Sequence, residues 1–335
     1  MSVILEELDV NSAVGTHLFD DSHWLNVLQK TYDFTFYRVI FRKGSKQLVF
    51  AHVTLPYGEK MISLPFSDYV NTDGVQVDEL VEVKKMLQQN FPKAKLIFKT
   101  TLKEEHNLSK IGEISRKAVY HRVDLNNHLN CSSSFKRGVK KAKKTGVTIK
   151  FTNEAESLKR FYTLYAKLRL EKFNSIPQAF SFFLHIFEEF VKKNKGWMVE
   201  ARYEDKVVAS AIVLASGDGW YYKFGASALD QLEVRPNNLL FHMIIQKAQQ
   251  EDVAFLDLGL SGSSTAYEGL RRFKASMGGE ENPIHYITHT PEEYDQEAET
   301  NFSKRLGEIT SGIIAKSPTP RELSKYAETL YPYFV

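Results

Sequence analysis

WMVEARY (Trp197–Tyr203), KVVASAIVLAS (Lys206–Ser216), GWYYKFGA (Gly219–Ala226), RPNNLLFHMIIQKAQQ (Arg235–Gln250), AFLDLGLSG (Ala254–Gly262) and YEGLRRFKASMGG (Tyr267–Gly279) follow one another over 83 positions. The first three runs are rich in β-branched and aromatic residues and read as strands, Trp197–Tyr203, Lys206–Ser216 and Gly219–Gly225. Glu204-Asp205 and Gly217-Asp218 sit between them where tight hairpin turns belong. Pro and Asn then open a helix over Asn237–Gln250, a short apolar strand follows at Val253–Leu258, and a basic amphipathic helix spans Tyr267–Met277. A strand at Ile284–Thr288 completes the unit. Its grammar is three antiparallel strands, a helix and another strand, with a helix start and two strand ends brought to one place.

Working outward, the first half carries the same grammar. A helix near Ser22–Thr31 precedes strands at Phe36–Arg42, Gln47–Leu55 and Lys60–Leu64, with Lys43-Gly44-Ser45 as a turn. A helix near Asp78–Asn90 shows apolar residues at Leu80, Val81, Val83, Met86 and Leu87. Strands at Lys95–Thr100 and Val119–Leu125 follow. In the second half Leu158–Phe173 and Gln178–Lys193 read as long helices, separated by Ile176-Pro177 because a residue before proline resists the helical region. The element order implies a structural duplication, although no residue-level repeat is visible. The expected domains are 1–145 and 146–290, with a C-terminal segment 291–335. That segment is acidic after Thr290 and ends in a helix Glu322–Tyr331 opened by Thr319 and Pro320.

The 335 residues suit two domains, and a net charge of +3 excludes a globally electrostatic nucleic-acid binder. A single cysteine, Cys131, excludes an internal disulfide framework and a multi-cysteine metal site. The histidines show no metal-ligand spacing, so no metal site is expected. The N-terminus has acids where a secretion signal needs bases, and no run is long enough to span a membrane, so a cytoplasmic protein is expected. Basic character is local. No acid occurs from Leu125 to Asn153, while Lys136, Arg137, Lys140, Lys141, Lys143 and Lys144 crowd a helix Phe135–Lys144. Such a helix is either a solvated linker or a contact for RNA, anionic lipid or pyrophosphate.

Several residues suggest chemistry. Arg235-Pro236-Asn237-Asn238 places a guanidinium and two capping side chains at a helix start, where free N–H groups attract phosphate; the plain alternative is a capped helix. Arg235, Asn237 and Asn238 are therefore candidates for seating a donor. Lys274 has a position suited to stabilising an oxyanion or binding a diphosphate, against a merely solvated basic face. Arg271 shares its face, with Leu270, Phe273 and Met277 on another. Asp68 is placed to take a proton from an amine, or to bond its own turn. Asp257 in AFLDLG reads as holding backbone amides. Tyr222 either lines the pocket or packs in the core, and Cys131 lacks the surroundings of a nucleophile.

SLPFSDY (Ser63–Tyr69), FKRGVKKAKKTGV (Phe135–Val147), FYTLYAKLR (Phe161–Arg169), FLDLG (Phe255–Gly259) and YEGLRRFKASMGG (Tyr267–Gly279) together resemble the Fem-type peptidoglycan aminoacyltransferases and the related FemAB-like acyltransferases of exopolysaccharide synthesis. The resemblance implies an α/β (α+β) architecture of tandem GNAT-like domains, with mixed, mostly antiparallel sheets flanked by helices. It implies an acyltransferase acting on an amine of a peptidoglycan or envelope-polysaccharide precursor. The acceptor would be a nucleotide- or lipid-linked glycan or muropeptide. The donor would be an aminoacyl-tRNA or acyl-CoA with no tightly bound cofactor, and the membrane contact at most peripheral. By motif, Phe273 and Lys274 match a functional Phe-Lys pair, Arg169 a phosphate-binding arginine, and Asp68 and Tyr69 an acid and aromatic of the first domain's cleft. In the family the last residues can pack back on the first domain. The chain lacks the helical-hairpin arm that meets transfer RNA in some members, and RPNN stands where acetyl-CoA enzymes carry a glycine-rich loop. A CoA-dependent N-acetyltransferase of an amino sugar or other small amine, and a non-catalytic module using helix 135–144, are the alternatives.

Overall fold

The computed structural model describes residues 3–12, 15, 17–41, 46–126 and 130–335. The expected turn at Lys43–Ser45 and the strand end at Arg42 lie outside them. The chain divides into two compact units, residues 1–119, 282–307 and 335 in the first and 120–281 and 308–334 in the second. The boundary thus differs from the one expected near residue 145. The helix at 133–144 belongs to the second unit, because Phe135, Val139 and Ala142 enter its core beside Leu239, Leu240 and Ile244. The segment 291–335, expected as one piece, is shared between the units.

The first unit contains β1 (Val3–Glu7), α1 (Ser22–Tyr32), β2 (Thr35–Phe41), β3 (Gln47–Leu55), β4 (Gly58–Ile62), α2 (Val77–Asn90), β5 (Lys95–Thr100) and α3 (Glu105–Leu108), and β6 (Glu113–Asp124) starts there. β1 to β4 pair antiparallel in sequence order, and β5 joins β4 in parallel. The second unit holds α4 (Ser133–Lys144), β7 (Thr148–Thr152), α5 (Ala155–Phe173), α6 (Phe180–Ile186) with a wider turn Phe187–Val191, β8 (Gly196–Tyr203), β9 (Lys206–Ser216), β10 (Gly219–Ser227), α7 (Pro236–Gln250), β11 (Phe255–Gly262) and α8 (Glu268–Ser276). Its sheet runs β11-β10-β9-β8-β7. β12 (Glu280–His289) pairs with β5, α9 (Gln296–Ile314) follows, and α10 (Pro320–Leu330) closes the chain in the second unit.

β9 is buried along nearly its whole length, as a central strand covered on both faces must be. One face packs α7 and α4 through Val199, Ala211, Val213 and Ile244. On the other, Phe161, Tyr165, Phe182, Phe183 and Phe224 stack edge to face at centroid separations from 5.0 to 6.3 Å, which accounts for the aromatic richness. The β8–β9 hairpin turns on Glu204 and Asp205, both at positive φ (48° and 60°), as a two-residue hairpin of this hand requires.

The duplication is visible in the backbone. β4 and β5 pair at Lys60↔Lys95, Met61↔Leu96 and Ile62↔Ile97, and β10 and β11 at Gly219↔Phe255, Trp220↔Leu256 and Tyr221↔Asp257. In each unit the parallel pair is in register over three residues. β10 then continues past an irregularity between Tyr222 and Phe224, away from β11.

Candidate functional site

α7 begins at Arg235, which adopts a left-handed backbone (φ 58°, ψ 42°), and Pro236 fills the first helical position. A non-glycine residue there costs on the order of 1 kcal/mol, so the surroundings must hold it. The α7 start has no side-chain cap and no acid in its first turn. The Asn237 carboxamide oxygen instead accepts a hydrogen bond from the Ser227 hydroxyl at 2.9 Å, tying α7 to the end of β10. α4 starts nearby. Ser132 caps it by accepting from the Phe135 N–H at 3.1 Å, and it too has no acid in its first turn. Gly138 lets the helices approach: a Cβ there would lie 2.5 Å from the Asn238 side chain.

Between these helix starts and α8 lies a cavity of about 410 Å³, lined by Ser134, Phe135, Leu232, Arg235, Pro236, Asn237, Asn238, Arg272, Phe273 and Ser276. Its size suits a small ligand or cofactor arm. Phe273 lies 6.3 Å from Phe135 and 5.8 Å from Phe241, giving the cavity an aromatic wall. Two helix N-termini and two guanidinium groups, Arg235 and Arg272, favour an anion. The matching helix of the first unit does the opposite. α2 carries Asp78 and Glu79 in its first turn, and Glu79 accepts from the Gln76 N–H at 2.8 Å. Two acids beside its free amides therefore repel phosphate.

Of the residues expected from sequence, Arg235, Asn237, Asn238 and Phe273 line this cavity. Lys274 does not. It is 3% exposed, and its ammonium donates to the carbonyls of Gly259 (2.7 Å) and Leu260 (3.0 Å) and to the Ser261 hydroxyl (2.9 Å). Three protons meet three acceptors, so none is left over for a reacting carbonyl in this arrangement. α8 thereby inverts the sequence expectation, with Lys274 buried and Leu270 43% exposed. The cause is the end of β11. Asp257 accepts from the Gly259 N–H at 2.6 Å, Gly259 sits at φ 73°, and the carbonyls that follow turn toward Lys274.

Tyr222 packs edge-on against Phe241 at 4.7 Å, and burial pushes its phenol up to about 12. Arg169 lies on α5 over the Phe173 ring at 5.2 Å, with its Nε buried and without a hydrogen-bond partner. Asp68 and Tyr69 belong to the first unit. Tyr69 is 1% exposed, and its hydroxyl meets His17 Nε2 at 3.2 Å. Asp68 is half-buried near Tyr286, whose phenol is pushed to about 12 by burial, with Asp68 adding to the rise. The loop carrying both residues is strained at Leu64 (φ 57°) and Phe66 (φ 58°). It is held by Lys99, whose ammonium donates to the carbonyls of Leu64 (2.7 Å) and Ser67 (2.9 Å), and by Trp24 Nε1 donating to Ser67 Oγ at 2.8 Å. The sequence reading missed Lys99 and Trp24, as well as Ser134, Leu232 and Arg272 in the cavity wall. Arg272 lies within the YEGLRRFKASMGG motif, next to Phe273; for the others only the folded chain supplies the signal. Cys131 is half-buried against the Met277 carbonyl, and burial pushes its thiol up, away from nucleophilic chemistry.

His121 is 1% exposed and lies behind Lys274, with Nε2 at 3.5 Å from Glu281. Burial, then the charges of Lys274 and Arg271, lower its pKa to about 4. A depressed histidine pKa stabilises the fold above the unfolded value near 6.5, and that contribution is lost as pH falls through 4. Urea midpoints are expected to drop between pH 6.5 and 4.5 by the equivalent of about 2 kcal/mol. His121→Gln should flatten that slope; an unchanged slope would contradict a neutral buried imidazole.

The fold is GNAT-like. Residues 130–274 match the family model described as an acetyltransferase (GNAT) domain, and they fall almost wholly within the second unit. More particularly, the fold is similar to that of FemX: the two share 13% identity over 83% of this chain and 94% of that one, with a TM-score of 0.61. L-PGS from Bacillus licheniformis is similar at 13% identity, 88% and 94% coverage and a TM-score of 0.56. A tandem GNAT protein from the clavulanic acid biosynthesis pathway is similar at 8% identity, 88% and 100% coverage and a TM-score of 0.51. A search of curated proteins gives no match.

Proposed function

We propose that the chain transfers an acyl or aminoacyl group to an amine of a peptidoglycan or envelope-polysaccharide precursor, with the donor's phosphate seated in the second unit. The observation that carries this reading is the cavity in which the acid-free starts of α4 and α7 converge with Arg235 and Arg272. The anion is held by backbone N–H groups and two planar cations, and the acyl arm runs along the aromatic wall at Phe273. The acceptor amine attacks the donor carbonyl, the C–N bond forms as the ester or thioester bond breaks, and the amine's proton leaves to a base. In this reading Lys274 is a positioning residue that fixes the end of β11. The similarity to FemX supports an aminoacyl donor and an envelope precursor as acceptor; the acetyltransferase family model supports an acyl-CoA donor.

The test is a donor screen. Radiolabelled acetyl-CoA and charged transfer RNAs are offered with a UDP-linked muropeptide and with amino sugars as acceptors. Label is expected in an amide product from one donor class. Arg235→Ala and Arg272→Ala should each raise the KM for that donor about tenfold, the size of one charge-assisted phosphate contact, with kcat little changed. No transfer from either donor class would sink the reading.

A further inference from the structure

We propose that α4 and the 3-10 turn Leu229–Val234 form a docking surface for an anionic phospholipid bilayer. Three observations carry the inference. First, α4 buries only Phe135, Val139 and Ala142 and presents Lys136, Arg137, Lys140, Lys141, Lys143 and Lys144 to solvent. Among the described residues Lys136, Arg137, Lys140, Lys143 and Lys144 form no ion pair, and Lys141 reaches Glu233 only at 3.8 Å. Second, that Lys141–Glu233 approach lays the turn Leu229–Val234 alongside α4. The turn has no buried residue, and Leu229 and Leu232 are 36% and 42% exposed. In a 3-10 helix side chains three apart eclipse, so the two leucines form one apolar ridge facing water. Third, Leu232 lines the same cavity as Arg235 and Arg272, which continue the positive surface to its mouth.

Cations attract the headgroups of an acidic leaflet, and an apolar ridge between them enters the headgroup–acyl boundary. A nucleic acid would use the lysines and offer nothing for the leucines, since proteins that bind single strands present stacking aromatics in such places. Asp230 and Glu233 are the acids on the turn, and Glu233 is the one offset by Lys141. The inference goes beyond the transferase reading, since vesicle binding is measured without turnover.

Flotation with vesicles of phosphatidylcholine alone and of phosphatidylcholine mixed with phosphatidylglycerol tests it. The full chain is expected to float with the mixed vesicles only and to be released by raised salt. Lys140→Glu with Lys144→Glu should weaken partitioning about a hundredfold, because each basic side chain contributes several-fold and reversal counts twice. Leu229→Ser with Leu232→Ser should weaken it about tenfold. All four positions are exposed, and unchanged thermal melting confirms that the variants fold. Equal binding to both vesicle types, or indifference to either pair of changes, overturns the proposal. So does binding of transfer RNA that depends on Lys140 and Lys144 while vesicles are ignored. Transfer to a water-soluble acceptor should be unaffected by the Lys140 and Lys144 changes. Absence of vesicle binding by the unaltered chain with activity intact therefore marks failure of docking alone, and absence of any transfer marks failure of the transferase reading.

Discussion

Replacing Glu299 by alanine is expected to destabilise the first unit by about 3–5 kcal/mol, the cost of stripping a buried charge of its partner. Glu299 projects from α9 between Lys60 of β4 (2.8 Å) and Lys95 of β5 (2.6 Å), and the three side chains are only 13%, 5% and 12% exposed. Burial alone would raise the Glu299 pKa, but hydrogen bonds and charges from both lysines outweigh it and hold the carboxyl below its ordinary value. The carboxylate's contribution is therefore present above the ordinary glutamate range and is lost as pH falls below it. In the alanine variant Lys60 keeps its bond to the Val335 carbonyl at 2.8 Å, while both ammonium groups remain largely buried. Glu299→Gln should recover part of the loss through its carboxamide oxygen. Urea unfolding followed by Trp24, buried in that unit, reads the change; a shift worth less than about 1 kcal/mol would mean that the ion network does not hold α9.

Lys274→Met is expected to cost about 2–4 kcal/mol, since it keeps the side chain's length and removes three hydrogen bonds in a buried setting. Turnover should fall with stability, because the β11 end and α8, which carries Phe273 and Arg272 to the cavity, lose their common tie. The pH slope assigned to His121 should also shrink, as one of the two charges depressing it disappears. A variant with full stability and no turnover would instead return Lys274 to direct contact with substrate. One with both intact would remove it from either role.

Most strands and helices of the second unit were legible because their signals are local; the edge strand β7 was not. Proline at the α7 start, paired turn residues at Glu204-Asp205, and dense β-branched runs in β9 need no tertiary context. Strand β1 and helix α9 were not. In α9 only Leu306 is buried, so no apolar stripe marks it, and its anchor is an ion pair with residues roughly two hundred positions earlier. The unit boundary was misplaced for a similar reason: the run of lysines in α4 reads as a linker, while its inward face is the three residues Phe135, Val139 and Ala142. At the site, Arg235, Asn237, Asn238 and Phe273 were readable from a helix start and a motif. The environment of Lys274 was not, because spacing tells which face a lysine shares and not whether carbonyls wait there. Lys99, on an ordinary-looking strand, holds the Ser63–Tyr69 loop through contacts invisible to periodicity.

The opposed helix starts of the two units carry a consequence for how such a molecule diverges. With Asp78 and Glu79 closing one of the paired seats, a duplicated ancestor's symmetry is broken at a single turn of backbone. On the proposed reading only the second unit seats the donor's phosphate, which leaves the loops of the first unit free to drift toward new acceptors. If that reading holds, a lineage that keeps Arg235 and its neighbours can change what it decorates without relearning how to hold what it donates.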